Sequence, residues 1–256
     1  MSSKKGDGTD IGDRFKQYEE VTQHVLTRRV PVIIRVDGNA FHTLTRRIWG
    51  RGYSDVFENI MDQTAAAMCT RISGLKFIYI QGDEASMLLT DYDTIKTQPW
   101  FGYNVNKLVS ISAGMFTAFF NYEMKRKLGA GHPDLDKNIS WFDSRAFNVP
   151  HDDVANYFIW RQRDWERNSI GMFAGTVCSH KELEGKKCNE RQEMMFKKGL
   201  NWGKLPVAKR RGRAIYRKDG KWFLDYNIPQ FTRDRTFINQ FVYLDGKDGF
   251  VLKDNA

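Results

Sequence analysis

Apolar positions along the chain switch repeatedly between helical and strand spacing. After a polar, ten-residue start (MSSKKGDGTD) that reads as a disordered tail, Phe15, Tyr18, Val21 and Val25 recur at intervals of three and four, the pattern of an amphipathic helix. Val32, Ile33, Ile34 and Val36 then run into Asp37-Gly38, which predicts a buried strand with a carboxylate at its C-terminal tip. Ser54 is placed to cap a long helix with Phe57, Ile60, Met61, Met68 and Ile72 on its apolar side. Leu75 to Ile80 predicts a second strand, Gln81-Gly82-Asp83-Glu84 a turn, and Ala85 to Leu89 a third strand. Asn104 opens a helix through Leu108, Ile111, Met115 and Phe119 to Arg126. Gly129 to Asp136 read as loop, and Ser140 to Val149 as a fourth strand. A helix carrying Val154, Tyr157, Phe158 and Trp165 starts at Asp152, and Arg213 to Tyr226 forms a hairpin on Asp219-Gly220.

The order strand, helix, strand, strand, helix, strand predicts an α+β, ferredoxin-like core, an antiparallel sheet with helices on one face. This divides the chain into a tail (1–10), a core with an N-terminal helix (11–150) and a helical, basic C-terminal region packed on the core (151–256). A crossover helix makes the first and second strands parallel, so their C-terminal ends share one edge of the sheet. Asp37, Asp83 and Glu84 therefore converge there. Clustered carboxylates repel one another unless a cation neutralises them or one keeps its proton. Hard oxygen ligands with open positions suit Mg²⁺ bound together with a phosphate substrate, and two such ions serve in-line phosphoryl displacement. Either turn dipeptide alone would mean only a turn. Their meeting on one edge makes the reading chemical.

Composition narrows the partner. Of 256 residues, 41% are hydrophobic and 14% aromatic, which excludes general disorder. The net charge is +9, yet Lys186 to Lys221 alone hold 13 Lys and Arg against 3 Asp and Glu, leaving the remainder near neutral. One basic segment on a neutral body reads either as a polyanion binder, with nucleic acid first, or as a solvated Lys-rich loop. No apolar stretch follows the first basic residues, so no secretory leader is expected. The longest uncharged run, Leu108 to Tyr122, is too short to span a membrane. Three cysteines (Cys69, Cys178, Cys188) lack zinc or disulfide spacing and read as reduced thiols of a cytoplasmic protein.

Two weaker clusters remain. Lys107 and Ser110 fall on the first turns after Asn104, where a helix N-terminus favours anions. Arg161, Asp164 and Asn168 share one helical face in WRQRDWERNSI, beside Arg167 and Ser169. A solvated Lys and a salt-bridged helix face would look the same.

RVDGNAFHTLTRR, FIYIQGDEASMLL, WFGYNVNKLVSISAG, WFDSRAFNVP and WRQRDWERNSI, in this order, resemble the tRNA(His) guanylyltransferase superfamily. The likeness is closest to its guanylyltransferase-like branch of 3′-5′ polymerases and runs from about Gly12 to the IPQFTRDR segment. The resemblance implies a polymerase-palm core. It implies that Asp37 and Asp83 bind two Mg²⁺ ions with the Gly38 carbonyl, and that Glu84 assists. Asn39, Ala40, Phe41, His42 and Gly82 would contact a nucleoside triphosphate, whose phosphates Lys107 and Ser110 also meet. It further implies activation of a tRNA 5′ end by ATP or GTP, attack by the 3′-hydroxyl of an incoming nucleotide, and a homotetramer. In place of the eukaryotic His-Ile-Asn-Asn run stands Arg167-Asn168-Ser169-Ile170, and Tyr103 to Asn106 replace the paired arginines before the family lysine. Both departures resemble the branch that repairs 5′-truncated tRNA by copying the opposite strand, with guanylate addition to tRNA(His) as a further reaction. Arg161, Arg167, Asn168, Lys197, Lys198, Lys209, Arg210, Arg211 and Arg213 are the expected RNA contacts. The alternatives are a palm-type nucleotide cyclase, partly matched by Gly82-Asp83-Glu84, and a non-catalytic tRNA-binding protein.

Overall fold

Six strands form one antiparallel sheet in the order β4-β1-β3-β2-β5-β6. They are β1 (Val32–Gly38), β2 (Leu75–Gln81), β3 (Glu84–Leu89), β4 (Phe142–Asn148), β5 (Arg213–Lys218) and β6 (Lys221–Asp225). The main helices are α1 (Asp10–Glu20), α2 (Phe41–Trp49), α3 (Asp55–Met68), α4 (Val105–Leu128), α5 (His151–Val177) and α6 (Cys188–Lys197). The computed structural model describes residues 9–244 except 51, 130, 134 and 136–138. The expected tail therefore lies outside the described residues up to residue 8, as do parts of the loop at 129–136 and the last twelve residues. Thr9 and Asp10, counted with the tail, are instead the cap and first residue of α1, with Thr9 Oγ1 accepting from Gly12 N.

Local chemistry explains the boundaries. Ser54 Oγ accepts from Phe57 N at 3.2 Å and starts α3, and Asn104 Oδ1 accepts from Lys107 N at 3.1 Å and starts α4. β1 and β2 are parallel to each other with β3 antiparallel between them, so both C-terminal ends lie at the edge where β3 begins. Val32, Ile34 and Val36 point into a core shared with α3 and α4. Ile33, Phe77, Tyr79 and Leu88 point the other way, onto α5 and onto Ile228, Phe231, Ile238 and Val242. Apolar side chains on both faces explain why these strands read as continuous rather than alternating runs. The C-terminal region thus supplies the second layer, and the hairpin β5–β6 extends the four-strand core through β2.

The basic segment is not a solvated loop. It folds into α6, a short helix at Val207–Arg211 and the hairpin. Arg213, expected on an RNA surface, is 1% exposed: its Nε donates to Asp62 at 2.6 Å and its Nη1 to Glu58 at 2.5 Å. Tyr226 donates to the other Asp62 oxygen at 3.0 Å, so this cluster ties the hairpin to α3. The α1 helix buries none of its residues and leaves Ile11, Phe15, Tyr18 and Val21 exposed.

Removing one partner of a buried ion pair leaves the other charge poorly compensated. Asp62→Ala is therefore expected to cost about 3 kcal/mol, measured as a lower urea midpoint at unchanged slope. An unchanged midpoint would show that Glu58 alone satisfies Arg213.

Candidate active site

The carboxylates meet where the sheet predicts. Gly38 N donates to Asp83 O at 3.1 Å, which pins the end of β1 to the turn between β2 and β3. Asp37 lies opposite Glu84 on β3 and opposite Asp143 on β4. Asp143 was not singled out from the sequence, because only the β1–β4 register brings it beside Asp37. Two glycines make the corner possible. A Cβ at Gly38 would fall 2.3 Å from the Phe41 ring, and Gly82 has a φ of +49° with Trp165 against it.

The three carboxylates differ in surroundings. Glu84 accepts from Arg161 Nε at 2.8 Å and Nη2 at 2.5 Å, and also from Gln81 and Ser86. Burial raises its pKa while Arg161 opposes the rise. Glu84 is thus already paired, and it shapes the site without being free to coordinate. Arg161 is 6% exposed and spent on Glu84 and Asp164, so it is a clamp rather than the expected RNA contact. Burial pushes Asp83 up to about 6, with the Asp37 and Glu84 charges adding to the rise. Burial also raises Asp37, offset by Arg35 and reinforced by Asp143. Among the described residues no three His, Cys, Asp or Glu side chains form a metal cage. Two carboxylates whose charge burial disfavours have the oxygen-donor chemistry that suits an ion shared with a phosphate.

Next to Asp37 starts α2, which the apolar pattern did not announce. Its cap, Ala40, has a φ of +56° and no side-chain bond, and no acidic residue occupies the first turn. The bare N–H groups at Phe41 and His42 therefore favour an anion beside the carboxylates. A cavity of 780 Å³ opens from there between α2, the start of α3 and the far half of α5. His42, Thr45, Asp83, Asn168 and Met172 are among its walls. The α5 helix reaches this place in register with β3. Tyr157 meets Ser86, Arg161 meets Glu84 and Trp165 meets Gly82, after which α5 continues past the sheet edge.

Other expected contacts lie elsewhere. Leu26 N donates to Tyr103 O, and Thr27 N to the side chain of Asn148, at the start of β1. The first turn of α4, with Lys107 and Ser110, is therefore at the sheet edge opposite the carboxylates. Both residues are exposed, and Ser110 donates to Asn106 O at 2.6 Å. Asn168 faces the cavity, while Arg167 is exposed and paired with Asp164 at 2.6 Å. Lys197 is exposed beside Glu193, and Lys198 is held by Val177 O and Glu182. Lys209 pairs with Asp55 at 3.0 Å. Arg210 donates to Leu205 O at 2.8 Å and Arg211 to Ile228 O at 3.5 Å.

A ferredoxin-like sheet whose carboxylate edge adjoins a bare helix N-terminus and a cavity defines a palm-type domain. Residues 12–150, over half of the chain, match the model of the Thg1, tRNAHis guanylyltransferase family, and the chain belongs to that family. The probable tRNA(His) guanylyltransferase of Dictyostelium discoideum is 27% identical over 207 residues, which cover 76% of this chain and 78% of the relative. The tRNA(His) guanylyltransferase of Saccharomyces cerevisiae is 25% identical over 222 residues, covering 79% and 88%. A bacterial tRNA(His) guanylyltransferase-like protein solved in complex with ATP superposes with a TM-score of 0.85 at 40% identity, covering 92% of this chain and all of that one. Such a protein solved with GTP gives 0.75 at 36%, covering 91% and 99%.

A buried carboxyl whose pKa rises on folding stabilises the chain below its unfolded pKa and loses that contribution as pH rises through the folded value. For the metal-free protein, stability is expected to fall by up to about 2 kcal/mol between roughly pH 4 and pH 7 through Asp83. Asp83→Asn should flatten that slope in urea melts taken across the range. A slope of equal size in the variant would remove Asp83 as its source.

Proposed function

We propose that the chain is a nucleotidyltransferase that extends the 5′ end of tRNA in the 3′-to-5′ direction. Its main reaction is repair of 5′-truncated tRNA against the opposite strand, and guanylate addition to tRNA(His) is a second use of the same site. The observation that carries this reading is the Asp37–Asp83 pair, joined through the Gly38–Asp83 backbone bond, beside the bare N-terminus of α2 and the cavity. Family membership supports it, as do the ATP and GTP bound by the bacterial relatives.

Asp37, Asp83 and the Gly38 carbonyl would hold two Mg²⁺ ions, whose donor chemistry they fit. When bound, the ions supply positive charge to the attacking and leaving oxygens. The chain's own residues bind and orient. The N–H groups of Phe41 and His42, with Asn39, receive the triphosphate, and the cavity between α2 and α5 receives the base and excludes water. Glu84, immobilised by Arg161, shapes the edge without competing for the phosphate. In the first displacement, an oxygen of the RNA 5′-monophosphate attacks the α-phosphorus of ATP or GTP and pyrophosphate leaves. In the second, the 3′-hydroxyl of the incoming nucleotide attacks the activated 5′ phosphorus and the nucleoside monophosphate leaves. The proton of the attacking hydroxyl goes to water or a basic group at the edge. Fixed electrostatics and positioning provide most of such catalysis.

Lys107 and Ser110, at the opposite edge, would reach phosphate only from a neighbouring subunit. The exposed apolar side of α1 supports a homo-oligomer, tetrameric by resemblance, and three free cysteines suit work in the cytoplasm. Among the described residues no helix is long and apolar enough to cross a membrane. For the RNA surface, Lys197 and the exposed hairpin residues Arg217, Lys218 and Lys221 are among the accessible charges of the basic segment.

Incubation with Mg²⁺, labelled nucleotides and a tRNA lacking its first nucleotide is expected to label the RNA 5′ end. Asp37→Ala and Asp83→Ala should lower that rate at least about a thousandfold while RNA still binds. A cyclic nucleotide formed without RNA, or wild-type turnover in either variant, would sink the reading. Neutralising Arg217, Lys218 and Lys221 together should reduce the salt slope of RNA binding by about 2 to 3, measured between 50 and 200 mM salt. An unchanged slope would return the hairpin to an ordinary solvated surface.

A further inference from the structure

The two carboxylates face different compartments. Asp83 lines the cavity, whereas Asp37 lies on the α5 side of β1, in line with Arg35 and Ile33 and flanked by Asp143 and Arg145 on the edge strand β4. On this face of β4, Asp143 and Arg145 are exposed, so the flank of β4 beside α5 forms a solvent-facing strip that ends at Asp37. Its inner end is closed by the Phe147–Tyr157 ring contact at 5.8 Å. Toward Asp37 it is bordered by two tryptophans that the chain leaves bare: Trp141 is 58% exposed and Trp160 51%.

Both residues are anchored, Trp141 through its backbone and Trp160 through its ring. The Trp141 carbonyl accepts from Asn39 N at 3.0 Å, and the next residue, Phe142, donates from its N to Thr117 Oγ1 at 3.1 Å. Trp160 lies with the Arg161 guanidinium 4.4 Å from its ring centroid, and that guanidinium is itself locked onto Glu84. One side of the Trp160 ring is thus covered by a cation that cannot leave, and half the residue stays open. The strip's charges nearly cancel: Arg35, Arg145, Arg161 and Arg167 stand against Asp37, Glu84, Asp143 and Asp164. A neutral strip with rigid aromatic borders does not track phosphates; it receives a flat ring by stacking.

On the reading of the preceding section, the site must hold a second nucleotide besides the one in the cavity, namely the RNA end whose 5′ phosphorus is attacked. We infer that the strip between α5 and β4 is the seat of that end, with the 5′-terminal base of the RNA stacked on Trp160 and Trp141 and its phosphate delivered to Asp37. The cavity and the strip then reach the carboxylate pair from different faces, so the incoming nucleotide and the RNA end can occupy the site together.

The test uses the full chain and a 5′-monophosphorylated tRNA carrying 2-aminopurine at its first position. Stacking should quench the probe on binding. Trp160→Leu and Trp141→Leu should each abolish most of that quenching and weaken RNA binding about 5- to 100-fold. The loss should be the same at 50 and 200 mM salt, because stacking releases no counterions. Trp160→Phe, which keeps an aromatic face, should recover most of both signals. Unchanged quenching in both leucine variants, a loss that grows at low salt, or a loss that Phe does not rescue would overturn the assignment. So would dissociation of the oligomer with RNA affinity intact, which would make the strip a subunit contact. Quenching needs no turnover, so a wild-type protein that quenches the probe without adding nucleotides would refute the proposed function and leave the seat standing.

Discussion

The arrangement depends on the two hydrogen bonds between Arg161 and Glu84, residues 77 positions apart. A buried ion pair contributes little net stability, because desolvation offsets most of its Coulomb energy, but breaking it strands a charge. Its effect here is positional. It fixes the rotation and height of α5 over β3, so Tyr157, Arg161 and Trp165 step down successive turns onto Ser86, Glu84 and Gly82. Everything beyond Trp165 is carried past the sheet edge by that docking. There Ile170, Phe173 and Ala174 build a small core with Met195 and Leu183, while Asn168 and Met172 face the cavity.

The same pair divides labour among the carboxylates. With Glu84 satisfied, the unmet negative charge of the edge is left to Asp37 and Asp83, both raised by burial and neither given an arginine of its own at hydrogen-bond distance. The fold therefore concentrates electrostatic tension at one corner. A cation, a proton or a cation-carrying phosphate relieves it. The bare N-terminus of α2 adds partial positive charge at that corner, so the site attracts both the ion and its anionic companion.

How much of this was readable depended on distance along the chain. The β1 strand, the Asp83 turn, the caps Ser54 and Asn104 and the β5–β6 hairpin all rest on signals within a few residues, and each is found where the pattern placed it. The α2 helix escaped because its cap is an alanine at positive φ, a conformation no local propensity announces. Arg161 and Arg213 were misread for a different reason. Composition treats a charge as surface, whereas each is buried against carboxylates supplied by a distant segment. The same long-range pairing explains Lys209, which meets Asp55, while Arg210 and Arg211 are held by backbone carbonyls.

The sequence by itself determined the order of elements and, through it, the convergence of Asp37 and Asp83. A crossover makes β1 and β2 parallel whatever packs around them. It also carried enough motif to imply the family. Tertiary structure alone decided which charges remain free, which register sets Asp143 beside Asp37, and how far α5 overhangs the edge. Those outcomes depend on burial and on partners 77 to 155 residues away. A one-dimensional pattern encodes the tendency of a residue to be buried but not the identity of the group it will be buried against.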